Sequence, residues 1–214
     1  MCFSASASFV AGASLLAIGT MTVKRAERKA ELPFSAIPLL FGVQQILEGI
    51  IWLTFRFDTP LLNTVMTNAY SLFSHVLWPI YVPFAALVLE PVPWRRKVLY
   101  AFMAIGAAAG LYLLISMVRF PITSQPVGGH IEYVSPHFYV AVVMGSYLAG
   151  TCLSMLFSSH KVANVFGAAA LLLFVAAYGI YTLWFISVWC FFAAVLSAVV
   201  YLHFRTRERR PVSA

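Results

Sequence analysis

The sequence predicts an all-α polytopic membrane protein: a bundle of seven transmembrane helices, N-terminus outside and C-terminus cytoplasmic. Three observations predict it. Of 214 residues, 62% are hydrophobic and 10% charged, with a mean hydropathy of +0.88, whereas roughly a quarter of the residues in a soluble domain carry charge. The apolar residues gather in runs of about 20, the length of helix that crosses a hydrocarbon core. The basic residues fall between those runs, almost all on one side.

The runs are 3–23, 33–55, 65–89, 97–118, 136–157, 162–182 and 185–204. The last two are nearly continuous and are divided around Leu183-Trp184, since together they are too long for one crossing. Twelve of the 14 Lys and Arg then lie on the side of 24–32, 90–97, 158–161 and the C-terminus, leaving Arg56 and Arg119 opposite. Positive residues mark the cytoplasmic side. The chain thus reads as one seven-helix transmembrane domain, 1–204, followed by a basic cytoplasmic tail, 205–214. A net charge of +7 without a continuous basic face argues against nucleic acid. The partner it implies is the lipid bilayer, and a homo-oligomer is compatible with the pattern. A cleavable signal peptide needs positive charge ahead of its apolar stretch. Here Lys24, Arg25, Arg28 and Lys29 follow it, so the first span is expected to be retained. Cys2, Cys152 and Cys190 are odd in number and lack metal-finger spacing, so they imply no disulfide framework.

The first span places Ser4, Ser8 and Gly12 on one face. The fourth repeats the pattern with Gly106 and Gly110, and the fifth with Ala141, Gly145 and Ala149. Such stripes let helices approach closely in lipid and are expected to pack. The third span contains Pro79 and Pro83, each removing a backbone donor, so a kink is expected there. The segment 119–135, with Pro121, Pro126, Gly128, Gly129, His130 and Glu132, is expected to be a long outside loop serving as a lid or a connector. Glu90, close to Arg95 and Arg96, is expected in an interfacial ion pair. His160 falls in a loop, and His203 is expected to reach the inner interface.

The chemistry concentrates in the second span, where Pro38–Trp52 carries Gln44, Gln45 and Glu48. A carboxylate at that depth costs several kcal/mol unless paired, protonated or near water. Running outward, the second span puts Glu48 roughly 12 Å below the outer boundary, and the third puts His75 roughly 15 Å down at 1.5 Å per residue. A Glu48–His75 site in the outer half follows, with Gln44 and Gln45 on the face of Glu48, Ser71 one turn before His75 and Trp78 three residues after it. Cys2, Ser6, Ser8, His137, Ser187 and Cys190 fall in the same half. Such a cluster suits a proton, a polar solute or a transition metal; the metal candidates are Glu48, His75, His137 and Cys2. A polar knot that only locks two helices together is the alternative.

The sequence lacks the His-Glu-x-x-His zinc motif and the Gly-x-Ser-x-Gly elbow. The seventh span has no lysine for a retinal Schiff base, and its one histidine cannot supply the His-x-x-x-His of ceramidase-like hydrolases. The paired Pro-Gln signature of three-plus-one-plus-three sugar transporters is also missing.

The opening Met-Cys-Phe-Ser-Ala-Ser-Ala-Ser-Phe, the stretch Leu-Phe-Gly-Val-Gln-Gln-Ile-Leu-Glu-Gly (40–49), Trp78-Pro79 and Glu90-Pro91 resemble a family of small bacterial multi-pass membrane proteins of unknown function. The resemblance covers most of the first 95 residues and implies a bacterial inner-membrane protein; it carries over no activity. The leading expectation is transport or permeation of a small solute, proton-coupled through Glu48. An intramembrane metal-dependent enzyme, hydrolase-like and using Glu48 and His75 with His137 or Cys2, is the second. A membrane sensor or structural subunit is the third.

Overall fold

A computed structural model describes residues 4–136, 138–180 and 182–207. The helix α1 (Ala5–Lys24) starts at Ser4, whose hydroxyl accepts from Ala7 N. A turn follows, in which the buried Glu31 accepts from the backbone of Glu27 and Arg28 and from the Arg28 guanidinium. Next come the short α2 (Leu32–Ser35) and α3 (Ile37–Arg56). The chain reverses through Asp58, in the left-handed region at φ 47°, into α4 (Pro60–Ser71). A π-helical turn, Leu72–Leu77, leads into α5 (Trp78–Leu89), and α6 (Pro93–Arg119) returns.

The segment expected to be an irregular loop is a β-hairpin. Strands β1 (Thr123–Val127) and β2 (His130–Val134) pair antiparallel, with Val127 opposite His130 and Thr123 opposite Val134. Gly128 and Gly129 both take positive φ, the two-residue turn whose twist matches a hairpin. Beyond it, α7 (Val140–Leu148), a second π-helical turn at Ala149–Leu153 and α8 (Ser154–Leu156) form one rod. Then follow α9 (Lys161–Ile180), a 3-10 turn at Thr182–Trp184, α10 (Phe185–Leu196) and α11 (Ala198–Arg207). Helix therefore continues past 204 into the expected tail, whose remainder, 208–214, lies outside the described residues.

Among the described residues, six helices are long and apolar enough to cross a membrane: Ala5–Lys24, Lys29–Arg56, Pro60–Leu89, Pro93–Arg119, Lys161–Ile180 and Phe185–Thr206. The rod Val140–Leu156, in the place of the expected fifth span, is shorter. It starts late because Tyr139 turns the chain at φ 56°, while the Tyr112 hydroxyl accepts from Phe138 N and donates to Phe138 O, pinning that turn to α6.

Close backbone approach organises the bundle. Helix α1 lies along α3, and a Cβ at Gly19 would come within 2.4 Å of Leu39 N. Two prolines set the centre. The Trp78 N–H reaches five residues back to Phe73 O, so in that register Pro79 should donate to Ser74 O but has no N–H; the Tyr147 hydroxyl donates there instead. Pro83 likewise cannot serve Pro79 O, which rests against Gly106 and Gly150. On the fifth rod the packing glycine is therefore Gly150. The expected stripe of Ala141, Gly145 and Ala149 does not serve: Ala141 is exposed, and a Cβ at Gly145 would meet nothing within 4 Å. The π-helical turn inserts a residue and rotates the small face away from the simple spacing of four.

The main core joins Phe41, Trp78, Val82, Phe166, Ala170, Trp189 and Ala193 across α3, α5, α9 and α10. A second cluster, Ile51, Tyr70, Ile131, Tyr133 and Cys190, lies under the hairpin. Cys152 and Cys190 are buried free thiols.

Candidate functional site

Helix α3 buries Gln44, Gln45 and Glu48 completely. Gln44 and Gln45 precede Glu48 by four and three residues, so one helical face carries all three polar groups inward. Trp78 Nε1 donates to Gln44 Oε1 at 2.7 Å, and its ring stacks on Phe41 at 3.9 Å between centroids. The indole N–H thus satisfies the carboxamide oxygen while its ring packs on Phe41. Glu48 Oε1 accepts from Ser187 Oγ at 2.6 Å, which ties α3 to α10, a helix 139 residues further along the chain. Gln45 and Ser71 are also fully buried, and their side-chain polar atoms make no hydrogen bond among the described residues.

His75 sits in the first π-helical turn. Its Nδ1 meets Ser74 Oγ at 2.8 Å and its Nε2 meets Ser135 Oγ at 3.1 Å. Ser135 directly follows β2, so the hairpin is fastened onto the histidine. Tyr133 of β2 stacks on Tyr70 of α4 with centroids 4.6 Å apart and planes 5° from parallel. His130 stacks on Trp184 at 4.7 Å. On the other strand, Ser124 Oγ meets Thr67 Oγ1 at 2.7 Å and donates to Asn63 Oδ1. Both strands are thus held by side chains of the helices below, and the hairpin closes over the end of the bundle.

Beneath it lies a cavity of about 210 Å³ whose polar lining includes Ser74, His75, Tyr133, Tyr147 and Cys190, and whose apolar wall includes Trp189. A smaller void of about 30 Å³ lies deeper, and Tyr147, Trp189 and Cys190 line both. Helix α10 is the common wall: it turns Ile186, Trp189 and Cys190 to the cavity and Ser187 to Glu48.

The sequence-derived site residues therefore fall into two connected groups. Gln44 and Trp78 are in contact, and His75 lines the cavity. Glu48 meets Ser187 of α10, and Gln45 and Ser71 are buried. Of the four metal candidates, Cys2 and His137 lie outside the described residues. Among the described residues, no group of three or more His, Cys, Asp and Glu is arranged to hold a metal ion. Sequence reasoning missed Ser135, Tyr70, Tyr133 and Tyr147. The first and third come with the hairpin, which Gly128-Gly129 beside the alternating Ile131 and Tyr133 did signal. Tyr147 carried no local signal.

At the other end of the bundle, Glu90 forms no ion pair with Arg95 or Arg96, contrary to expectation. Its carboxylate accepts from Val92 N at 3.1 Å and Ser159 N at 2.6 Å. Arg95 instead donates to the carbonyls of Phe157 and Ser158. His160, expected simply in a loop, meets Leu89 O through Nε2 at 3.1 Å. The turn between α8 and α9 frees backbone N–H and C=O groups, which Glu90 and Arg95 take up. Burial pushes the Glu90 carboxyl up, but the two N–H donors and the Ser158 and Ser159 hydroxyls hold it, on balance, below its ordinary value.

No curated protein and no solved structure matches this chain. The family model described as "Family of unknown function (DUF6629)" matches residues 1–214, and the chain belongs to that family.

Proposed function

Taking membership of that family as the premise, we propose that this chain is a bacterial inner-membrane protein that moves a small solute, coupled to a proton on Glu48. Seven membrane crossings are proposed, the shorter rod Val140–Leu156 being one, with the N-terminus outside and the C-terminus inside. The asymmetry of Lys and Arg supports that orientation. The hairpin then closes the outer end and the Glu90 cluster lies at the inner end.

One observation carries the transport reading: α10 is a wall shared by a fully buried carboxylate and a cavity. A proton arriving on or leaving Glu48 changes its bond with Ser187, and Ser187 is one helical turn from Cys190, which lines the cavity. Intramembrane carboxylates facing a bundle interior commonly serve as proton relays. Gln44, Gln45, Ser71 and Trp78 furnish the polar surroundings, and His75 furnishes the hydrogen-bonding end of the cavity.

The test is proton flux into proteoliposomes under an imposed membrane potential, read with an internal pH dye. Glu48→Gln keeps the shape and removes the titration. It is expected to cut pH-dependent flux at least tenfold while leaving helicity and elution volume unchanged. Equal flux in a folded Glu48→Gln protein removes Glu48 from the mechanism.

A further inference from the structure

The cavity beneath the hairpin has the chemistry of a narrow ligand class, and this step rests on the reading of that cavity as a binding site. Among the described residues that line it, none is Asp, Glu, Lys or Arg. The apolar part of the wall comprises Leu113, Val143, Met144, Leu183, Phe185, Ile186 and Trp189. The hydrogen-bonding atoms gather where Ser74 and His75 meet the hairpin, and much of their capacity is already committed. Ser74 Oγ meets His75 Nδ1, His75 Nε2 meets Ser135, and the Tyr147 hydroxyl donates to Ser74 O. The Tyr147 phenol oxygen, a donor in that bond, can still accept one hydrogen bond from a guest. Among these described residues a charged guest would lose its hydration without gaining a carboxylate, ammonium or guanidinium partner.

Size narrows the class further. An apolar cavity of about 150 Å³ accommodates benzene, so about 210 Å³ suits a single ring with a short substituent. The rings of Tyr133, Tyr147, Phe185 and Trp189 offer faces and edges to such a guest.

The route is lateral. Val143 and Met144 of α7 form one wall, and Leu183, Phe185 and Ile186 form the facing one. Helix α7 packs chiefly on α6 and on the π-helical turn that follows it, so the cavity separates it from the start of α10. Leu183 lines the cavity and is also 63% exposed, and Val140 and Val142 on α7 are exposed as well. An opening edged by apolar side chains faces acyl chains more favourably than water. We propose that the cavity binds a small neutral amphiphile, one ring bearing a single hydroxyl group, which enters from the membrane between α7 and the Thr182–Trp184 turn and donates that hydroxyl to the Tyr147 phenol oxygen.

The probes are benzyl alcohol, benzoate and benzylammonium, alike in shape and different in charge. Fluorinated forms are titrated by 19F NMR against the full chain in nanodiscs, with empty nanodiscs as the partition control. Benzyl alcohol is expected to show one saturable site per chain, and the two ions at least tenfold weaker binding at pH 7. Met144→Trp and Val143→Phe, which fill the cavity from α7, are each expected to weaken benzyl alcohol at least tenfold. An octyl chain on the ring, opposite the alcohol, is expected to be tolerated because it trails into lipid. Equal or tighter binding of either ion, unchanged binding in a folded cavity-filling variant, or exclusion of the octyl probe would each overturn the proposal. Should both variants misfold, the charge series on the native chain still decides. Saturable binding of benzyl alcohol without Glu48-dependent proton flux would end the transport reading and leave the ligand class standing; Glu48-dependent flux with preference for an ion would do the reverse.

Discussion

The carbonyl oxygen of Pro79 lies so close to Gly106 that a Cβ there would stand 1.9 Å from it. That oxygen lost its helical partner to Pro83, and the glycine of a neighbouring helix now covers it. The two prolines thus permit a three-helix contact in which Gly150 also takes part, 2.9 Å from the same oxygen if it carried a Cβ.

Gly106→Ala is accordingly expected to destabilise by about 3 kcal/mol or prevent assembly, since overpacking at backbone leaves nothing flexible to yield. Gly145→Ala, at an exposed helical position where a Cβ would meet nothing within 4 Å, is expected to stabilise by up to about 1 kcal/mol. Thermal unfolding in detergent compares them; equal losses would contradict the contact.

Trp78→Phe keeps the ring stacked on Phe41 but removes the donor to Gln44 Oε1. An interhelical bond of this kind within a bilayer is worth about 1–2 kcal/mol. Adding Gln44→Leu removes the abandoned acceptor and should recover part of the loss, because two absent partners cost less than one. A double-mutant cycle on unfolding midpoints measures the coupling, and strict additivity would refute it.

The hairpin depends on Gly129, at φ 79° with no neighbour within 4 Å. Only backbone conformation is at stake there, so Gly129→Val should cost about 1–2 kcal/mol and Gly129→Asn less. Hydrogen exchange of the β2 amides should quicken in the valine variant, and with it that of the His75 region fastened through Ser135. Unchanged exchange would show that the hairpin is held without its turn.

Glu90 makes a pH-dependent clasp. Its carboxyl is held below the ordinary value, so its contribution is present above about pH 4.3 and is lost as pH falls through the lowered value. Between pH 5 and pH 3 the Ser159 amide should lose exchange protection. Glu90→Gln should remove that step and lower protection at neutral pH by the 1–3 kcal/mol of a charged hydrogen bond. A titration step that survives in Glu90→Gln would belong to another group.

Much of this was legible in order along the chain. Apolar run length marked the helices, Leu183-Trp184 lies within the 3-10 turn between α9 and α10, and the polar residues of 44–48 were conspicuous by their depth. Depth supplies only one coordinate for Glu48 and His75, since equal height says nothing of direction around a helix axis. What depth could not supply is that Glu48 bonds to Ser187 and His75 to Ser135, 139 and 60 positions away. Glu90 misled for a related reason: nearby arginines in sequence suggested an ion pair, while a distant loop offered N–H groups of better geometry.

The sequence by itself determined the class of molecule, because hydropathy and backbone satisfaction in lipid leave helices as the available solution for such runs. It also determined which carbonyls lose their helical donor, through Pro79 and Pro83. Only the tertiary structure decided which freed carbonyl found which partner: Ser74 O with Tyr147, Pro79 O with Gly106. It likewise decided that α10 presents Ser187 to a buried carboxylate and Cys190 to a cavity. These relations depend on rotation and distance between helices remote in sequence, and local composition does not encode them.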